Sequence, residues 1–179
     1  MKIIILAATG RVADKLIPKL VDDNSLTLFG HNVTERLKQY AGQAKLVDGD
    51  LTDEAAVRAA AEGQELAVLN YMAGSTVARH VVNALTGTSC KRLVVTTGHC
   101  SDDESLGGKI FADSSLDTTC IYLPWIRDNS GKDGYEVVAD DLQQEDASQV
   151  SHEGVARYIA DLVKEPGRDL NAEISLKEA

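Results

Sequence analysis

Aromatic residues are scarce in this chain of 179 residues, at 4% of the total. A core with so few rings must be filled mainly by Val, Leu, Ile and Ala. Cysteine is nearly absent. Cys90, Cys100 and Cys120 are odd in number and lack Cys-x-x-Cys spacing, which argues against a disulfide framework and the common zinc sites. Reduced thiols, with Cys90 and Cys120 near the core, are the expected state, as in a cytoplasmic protein. Basic residues are outnumbered, 18 against 28 acidic, for a formal net charge of -10. Such a surface repels nucleic-acid backbones and anionic lipid, so neither is an expected partner. It leaves room for a small basic pocket. No apolar run approaches the ~18 residues of a membrane span. The opening run, Ile3 to Ala8, is six residues long, shorter than the ~7–15 apolar residues of a signal peptide. It reads as a buried strand.

What is present is ordinary for a globular fold, with 44% apolar and 26% charged residues. The length suits one domain over residues 1–179. Short β-branched runs alternate with stretches of helical period. Strands are expected at Ile3–Leu6, Leu26–Phe29, Ala44–Val47, Leu66–Leu69 and Leu93–Val95. Between them come helices over Gly10–Val21, Thr34–Tyr40, Glu54–Glu62 and Ser75–Leu85, with Asp53 able to cap the third. Pro18 predicts a kink or an early end in the first helix. The alternation implies a parallel sheet with right-handed crossovers. The expected fold is therefore a single α/β domain, a Rossmann-type doubly wound parallel sheet. Thr119–Leu123 reads as a sixth strand, Tyr135–Ala139 as a short strand, Gly154–Lys164 as a helix and Ala172–Leu176 as an edge strand. Between the fifth and sixth strands lies His99–Thr118, rich in Asp, Ser and Gly. A short turn capped by Ser101 fits there more readily than a full helix. His99, Cys100, Asp102 and Asp103 match no familiar metal spacing. The acidic stretch Asp133, Glu136, Asp140, Asp141, Glu145 and Asp146 reads as a solvated face.

The first strand runs into Ala7-Ala8-Thr9-Gly10-Arg11-Val12-Ala13 and then a helix. That is the position of a dinucleotide fingerprint in GxxGxxG spacing, here read as AxxGxxA. Gly10 stands where backbone must approach a pyrophosphate, against the free N–H groups of a helix start. Ala13 can serve for the third glycine, whose task is close helix–strand packing. Ala7 replaces the glycine of the tight turn.

The wider pattern resembles the atypical short-chain dehydrogenase/reductases of the NAD(P)H-binding, NmrA-like group, which includes flavin- and biliverdin-reductase-like proteins. The resemblance rests on the opening loop, on Gly49-Asp50-Leu51-Thr52-Asp53 and on Arg92-Leu93-Val94-Val95-Thr96-Thr97-Gly98. Leu123-Pro124 and Val150-Ser151-His152-Glu153-Gly154-Val155-Ala156 extend it almost to the end of the chain. It implies that Thr9, Gly10, Arg11 and Val12 hold the cofactor phosphates, with Ala8 also among the cofactor-binding residues. Asp50 and Leu51 lie beside the adenine, and Tyr71, Met72 and Ala73 line the nicotinamide-ribose path. Gly30-His31-Asn32 occupies the place that selects the ribose, with Arg36 further on. Arg11 and Arg36 together suit a 2′-phosphate, and no acid ends the second strand to bind a free hydroxyl. NADP is thus favoured over NAD. Asp50 serves equally well as a turn cap, and Thr97 is either a catalytic hydroxyl or a plain strand-end residue. No Tyr-x-x-x-Lys pair occurs: Tyr40, Tyr71, Tyr122, Tyr135 and Tyr158 precede Ala44, Ser75, Ile126, Ala139 and Leu162 at that spacing. The implied activity is hydride transfer to a flavin, quinone or small carbonyl acceptor by a monomer or homodimer. The alternative is a catalytically inactive nucleotide or redox sensor that keeps the fold.

Overall fold

The computed structural model describes residues 1–123, 125–127, 132–138 and 149–179. Pro124, Ala139, Asp140, Asp141, Glu145 and Asp146, named above, lie outside the described residues. The first half follows the expected alternation. Strand β1 (Lys2–Leu6) leads to α1 (Arg11–Leu20), β2 (Ser25–Gly30), α2 (Val33–Arg36) and β3 (Ala44–Asp48). Then come α3 (Glu54–Ala61), β4 (Leu66–Leu69), α4 (Ser75–Thr86) and β5 (Arg92–Thr97). The second half holds α5 (Asp102–Ala112), β6 (Asp117–Tyr122), β7 (Trp125–Arg127), β8 (Glu136–Val138), β9 (Gln149–Ser151), α6 (His152–Lys164) and β10 (Ala172–Lys177).

The main sheet has eight strands in the order β3-β2-β1-β4-β5-β6-β10-β8. Its pairings are parallel except that of β8 with β10. This is the Rossmann-type doubly wound fold. Period-2 alternation splits the strands between two cores. Ile3, Ile5, Leu28, Val94 and Ile121 pack under α1 and α6. Ile4, Leu6, Phe29, Leu69, Val95 and Cys120 pack under α3, α4 and α5. Each fully buried aliphatic side chain contributes about 1.5–3 kcal/mol, so the aliphatic β1 run serves both cores. After β1 the chain moves one way to β2 and β3, then crosses back to β4 on the other side. Such a switch point leaves a crevice beyond the carboxyl ends of the strands.

Four expectations require correction. First, α1 does not end early at Pro18 but runs through it to Leu20, and the Val21 N–H still bonds the Ile17 carbonyl at 3.0 Å. Ile17 and Leu20 are buried on either side of the proline, which offsets the one bond it removes. Second, the expected helix over Thr34–Tyr40 divides into α2 and a 3₁₀ turn at Lys38–Tyr40. Third, β10 is an interior strand, because β8 pairs with its outer side. Fourth, His99–Thr118 does hold a helix, the eleven residues of α5. Ser101 caps it, accepting the Glu104 N–H at 3.1 Å. Gly107 and Gly108, which read as breakers, are its contact points. A β-carbon on Gly107 would stand 2.0 Å from the Ala73 carbonyl oxygen. One on Gly108 would stand 2.9 Å from Thr97 Oγ1. The helix needs these glycines to lie flat against β5 and the loop after β4.

Candidate functional site

The site begins with the turn between β1 and α1. Ala7 takes φ +56°, the left-handed region that costs an L-residue about 1–2 kcal/mol and that glycine enters freely. The turn is closed by Gly10 N–H to the Ala7 carbonyl at 3.1 Å and tied to β2 by Ala8 N–H to the Phe29 carbonyl at 3.0 Å. Gly10 is the N-cap of α1 with ordinary dihedrals, φ -77° and ψ 166°, and no side chain caps that helix. The N–H groups of its first turn are left for a ligand. A β-carbon on Gly10 would meet the Ala7 and Asn70 carbonyl oxygens at 3.4 and 3.5 Å, ordinary contact distances. The fold itself does not require glycine there.

Beside this helix start opens a cavity of ≈ 550 Å³, within the size range of small-molecule and cofactor sites. It is lined by Thr9, Gly10, Arg11, Asp14, Lys15, Arg36, His152 and Glu153. Arg36 reaches in from α2, its guanidinium donating to the Thr9 carbonyl at 3.4 Å. A second cavity of ≈ 280 Å³ adjoins it, lined by Arg11, Val12, Asn70, Met72, Thr96 and His152 together with Leu123 and Ile126. Arg11 and His152 belong to both. The Asn70 amide is the notable group. Its Nδ2 and Oδ1 are both buried without a hydrogen-bond partner among the described residues. A buried amide left unpaired costs about 1–3 kcal/mol, and a ligand with its own donor and acceptor would remove that cost.

The sequence-derived candidates gather along this edge with some exceptions. Thr9, Gly10, Arg11, Val12, Arg36 and Met72 line the two cavities. Ala8 and Ala73 are buried and give a ligand no side-chain surface. Tyr71 is half exposed beyond β4. The two threonines ending β5 diverge, as strand residues must. Thr96 lines the smaller cavity. Thr97 is 1% exposed and faces α5 beside Gly108. Its Oγ1 has no partner among the described residues. Asp14, Lys15, Asn70, Thr96, Leu123, Ile126, His152 and Glu153 are the lining residues that sequence reasoning did not select. Of these, Thr96, Leu123, His152 and Glu153 lie within the segments that carry the family resemblance.

The adenine-side candidates are exposed. Asn32 has φ +52°. His31 Nε2 and Asp50 Oδ2 lie 2.9 Å apart. Asp50 also accepts the Thr52 N–H at 2.8 Å and the Thr52 hydroxyl at 2.7 Å. Those two bonds, then His31, hold its carboxyl down at about 2. Asp50 thus does cap a turn, while His31 fastens it to the end of β2. Leu51 packs half-buried against the α3–α5 core. Gly49 is there for packing, since a β-carbon would stand 2.4 Å from the Phe29 ring. Asp48 accepts from the Thr34 N–H and hydroxyl and is lowered by them.

After β5 the polar residues are structural. Asp103 accepts the Ser75 N–H at 3.1 Å and so caps α4 from α5. His99 stacks on Tyr122 with ring centroids 4.6 Å apart, and Tyr122 donates to Glu173 at 2.7 Å. Among the described residues no group of three or more His, Cys, Asp and Glu side chains is arranged to hold a metal. No described helix is long and apolar enough to cross a membrane.

The sequence model of the family described as NAD(P)H-binding matches residues 7–166. The chain belongs to that family. No curated protein matches it. Solved structures do. A Rossmann-fold NAD(P)-binding family protein from Shigella flexneri is 22% identical, with TM-score 0.88 over 99% of this chain and 93% of that one. A short-chain dehydrogenase/reductase from Veillonella parvula DSM 2008, solved with NADP, is 21% identical, with TM-score 0.88 over 99% and 94%. ChuY, an anaerobillin reductase from Escherichia coli O157:H7, is 18% identical, with TM-score 0.81 over 99% and 97%. At these identities the likeness is one of fold. The NAD(P)H-binding assignment agrees with the site in three independent features: an uncapped helix start, a glycine the fold does not need, and an unpaired amide on the cavity wall.

Proposed function

We propose that this NAD(P)H-binding chain is an NADP(H)-dependent oxidoreductase of the NmrA-like group. The observation that carries the reading is the cavity at the start of α1, where Gly10 is free of any demand from the fold and Arg11, Lys15 and Arg36 converge. Thr9, Gly10, Arg11 and Val12 hold the phosphates. Arg11 and Arg36 answer the 2′-phosphate, since β2 ends in Gly30 and is followed by His31 and Asn32, with no acid there. His31, Asn32, Asp50 and Leu51 flank the adenine. Tyr71, Met72 and Asn70 receive the nicotinamide end. The bound nicotinamide supplies hydride chemistry to a flavin, quinone or small carbonyl acceptor. Val12, Met72, Leu123 and Ile126 keep that end apolar, and Thr96 is the hydroxyl beside it. A second reading, a nucleotide or redox sensor without catalysis, draws support from Thr97, which is turned under α5.

Thermal unfolding with millimolar NADPH, NADH, NADP and NAD tests the proposal. A ligand at 100 times its Kd adds about 2.7 kcal/mol, or about 5–11 °C for a domain of this size. A shift largest with NADPH is expected, and Arg36→Ala should erase the advantage over NADH. No shift with any of the four would end the nucleotide reading. Binding without turnover of flavin, quinone or carbonyl acceptors would favour the sensor.

A further inference from the structure

The smaller cavity holds a polar group that the fold leaves unanswered. Val68 on β4 and Val94 on β5 pack into the core under α1 and α6. By period-2 alternation the next residues on that face are Asn70 and Thr96. There the packed core stops and the cavity opens, with Val12, Met72, Leu123 and Ile126 as its apolar lining. Asn70 Nδ2 and Oδ1 are both buried, and neither has a partner among the described residues. The other polar side chains of this cavity are engaged. Thr96 Oγ1 donates to the Leu69 carbonyl at 3.4 Å, and Arg11 and His152 have partners of their own.

An amide needs a donor for its oxygen and an acceptor for its nitrogen. Phosphate and carboxylate offer acceptors only, so either would leave Oδ1 unpaired. A second amide, lying antiparallel, answers both atoms at once with two N–H···O bonds. The volume, ≈ 280 Å³, falls just under the ~300–1,000 Å³ of drug-sized sites and suits a single ring. The apolar lining suits a flat one. The cavity adjoins the larger one at the start of α1, and Arg11 lines both. A ring held here is therefore one end of a ligand whose other parts lie beside α1.

We propose that Asn70 recognises the nicotinamide carboxamide: Nδ2 donates to the carboxamide oxygen, and Oδ1 accepts from its NH₂ group. This rests on the nucleotide reading above and assigns one side chain to the ring end of the ligand. Two such bonds fix the rotation of the ring about its bond to ribose, and so the face it turns to an acceptor.

The test is calorimetric titration of wild type and Asn70→Leu with NADP, its 3-acetylpyridine analogue and 2′,5′-ADP. The analogue keeps the carbonyl and loses the NH₂ group, whereas 2′,5′-ADP lacks the nicotinamide altogether. Wild type should bind NADP about 2- to 12-fold more tightly than the analogue, the worth of one hydrogen bond. Asn70→Leu should bind NADP about 5- to 150-fold more weakly than wild type. It should no longer distinguish NADP from the analogue, and should bind 2′,5′-ADP as wild type does. Its apo Tm should hold or rise, since apolar groups replace two unpaired buried atoms. Should leucine lower it by overfilling the site, Asn70→Ala carries the same comparisons. Equal losses for NADP and 2′,5′-ADP would overturn the proposal, because the amide would then serve the phosphate end or the fold. An undiminished preference for NADP over the analogue in both variants would overturn it too, since the carboxamide would be held elsewhere. Wild-type binding of 2′,5′-ADP with no gain for NADP would overturn it and leave the nucleotide reading standing. Absence of binding by all three would end both.

Discussion

Gly10→Ala separates what the fold needs from what a ligand needs. The position has φ -77° and ψ 166°, which alanine adopts without strain, and the added methyl would lie 3.4 and 3.5 Å from two carbonyl oxygens. Alanine is a poorer N-cap than glycine, by up to about 1 kcal/mol. It also restricts the unfolded chain, which returns about 0.4–1 kcal/mol. Apo stability should therefore change by no more than about 1 kcal/mol, or about 2–4 °C in Tm. A pyrophosphate approaching the loop would meet the methyl. Overfilling a close contact costs about 1–3 kcal/mol, which is about 5- to 150-fold in Kd. Thermal unfolding of the apo protein and NADPH titration by fluorescence give both quantities from one preparation. A Tm drop well beyond 4 °C would mean that the fold itself demands glycine. An unchanged Kd with an unchanged Tm would mean that no phosphate lies over Gly10. Either result refutes the reasoning.

Gly107→Ala should behave in the opposite way. Its β-carbon would stand 2.0 Å from the Ala73 carbonyl, so α5 must move at a cost of about 1–3 kcal/mol or more; an unaltered apo Tm would show that the helix does not lie so close. The Asp50 carboxyl should titrate at about 2, below the ordinary 3.8, when followed by NMR. It therefore favours the folded state above pH 3.8, and that contribution disappears as pH falls to about 2. His31→Ala should raise the midpoint only part of the way, because the Thr52 bonds are the larger cause; a full return to 3.8 would contradict that order. Burial pushes the Cys90 and Cys120 thiols up to about 11 and about 12, whereas Cys100 is exposed. A thiol reagent at pH 8 should label Cys100 at once and the other two only on unfolding; rapid native labelling of all three would refute their burial.

Four of the first five strands, β1, β2, β4 and β5, were legible because each is a short run that the sheet buries on both faces, whereas β3, at the sheet edge, is only partly buried. The caps at Asp53 and Ser101 were legible for a similar reason. A side-chain oxygen three residues ahead of a free N–H makes a local contact, at 3.0 Å to Ala56 and 3.1 Å to Glu104. The loop of α1 was legible as far as its spacing. That Ala7 would accept φ +56° was not. Such a conformation is imposed by the turn bonds to Gly10 and by the tie of Ala8 to β2. The helix α5 was missed because Gly107 and Gly108 lower helical propensity. Their value lies in contacts with Ala73 and Thr97, which are far away in sequence. The position of β10 was missed because edge or interior depends on β8, a strand of three residues.

The site divides along the same line. The residues chosen from sequence stand at the ends of β1, β2, β3, β4 and β5, because a parallel sheet brings all those ends to one edge. The choice between Thr96 and Thr97 needed the pleat, which sends neighbouring side chains to opposite faces. His152 and Glu153 needed the packing of α6 against α1, and Asn70 the end of β4, which together set residues from both halves of the chain around two adjoining cavities. The chain's own chemistry determined the layered fold, the helix start that faces the crevice and the cations that line it. Tertiary structure alone decided which polar groups are left buried and unpaired there. Partnership depends on distance in space, and no local pattern of residues records it.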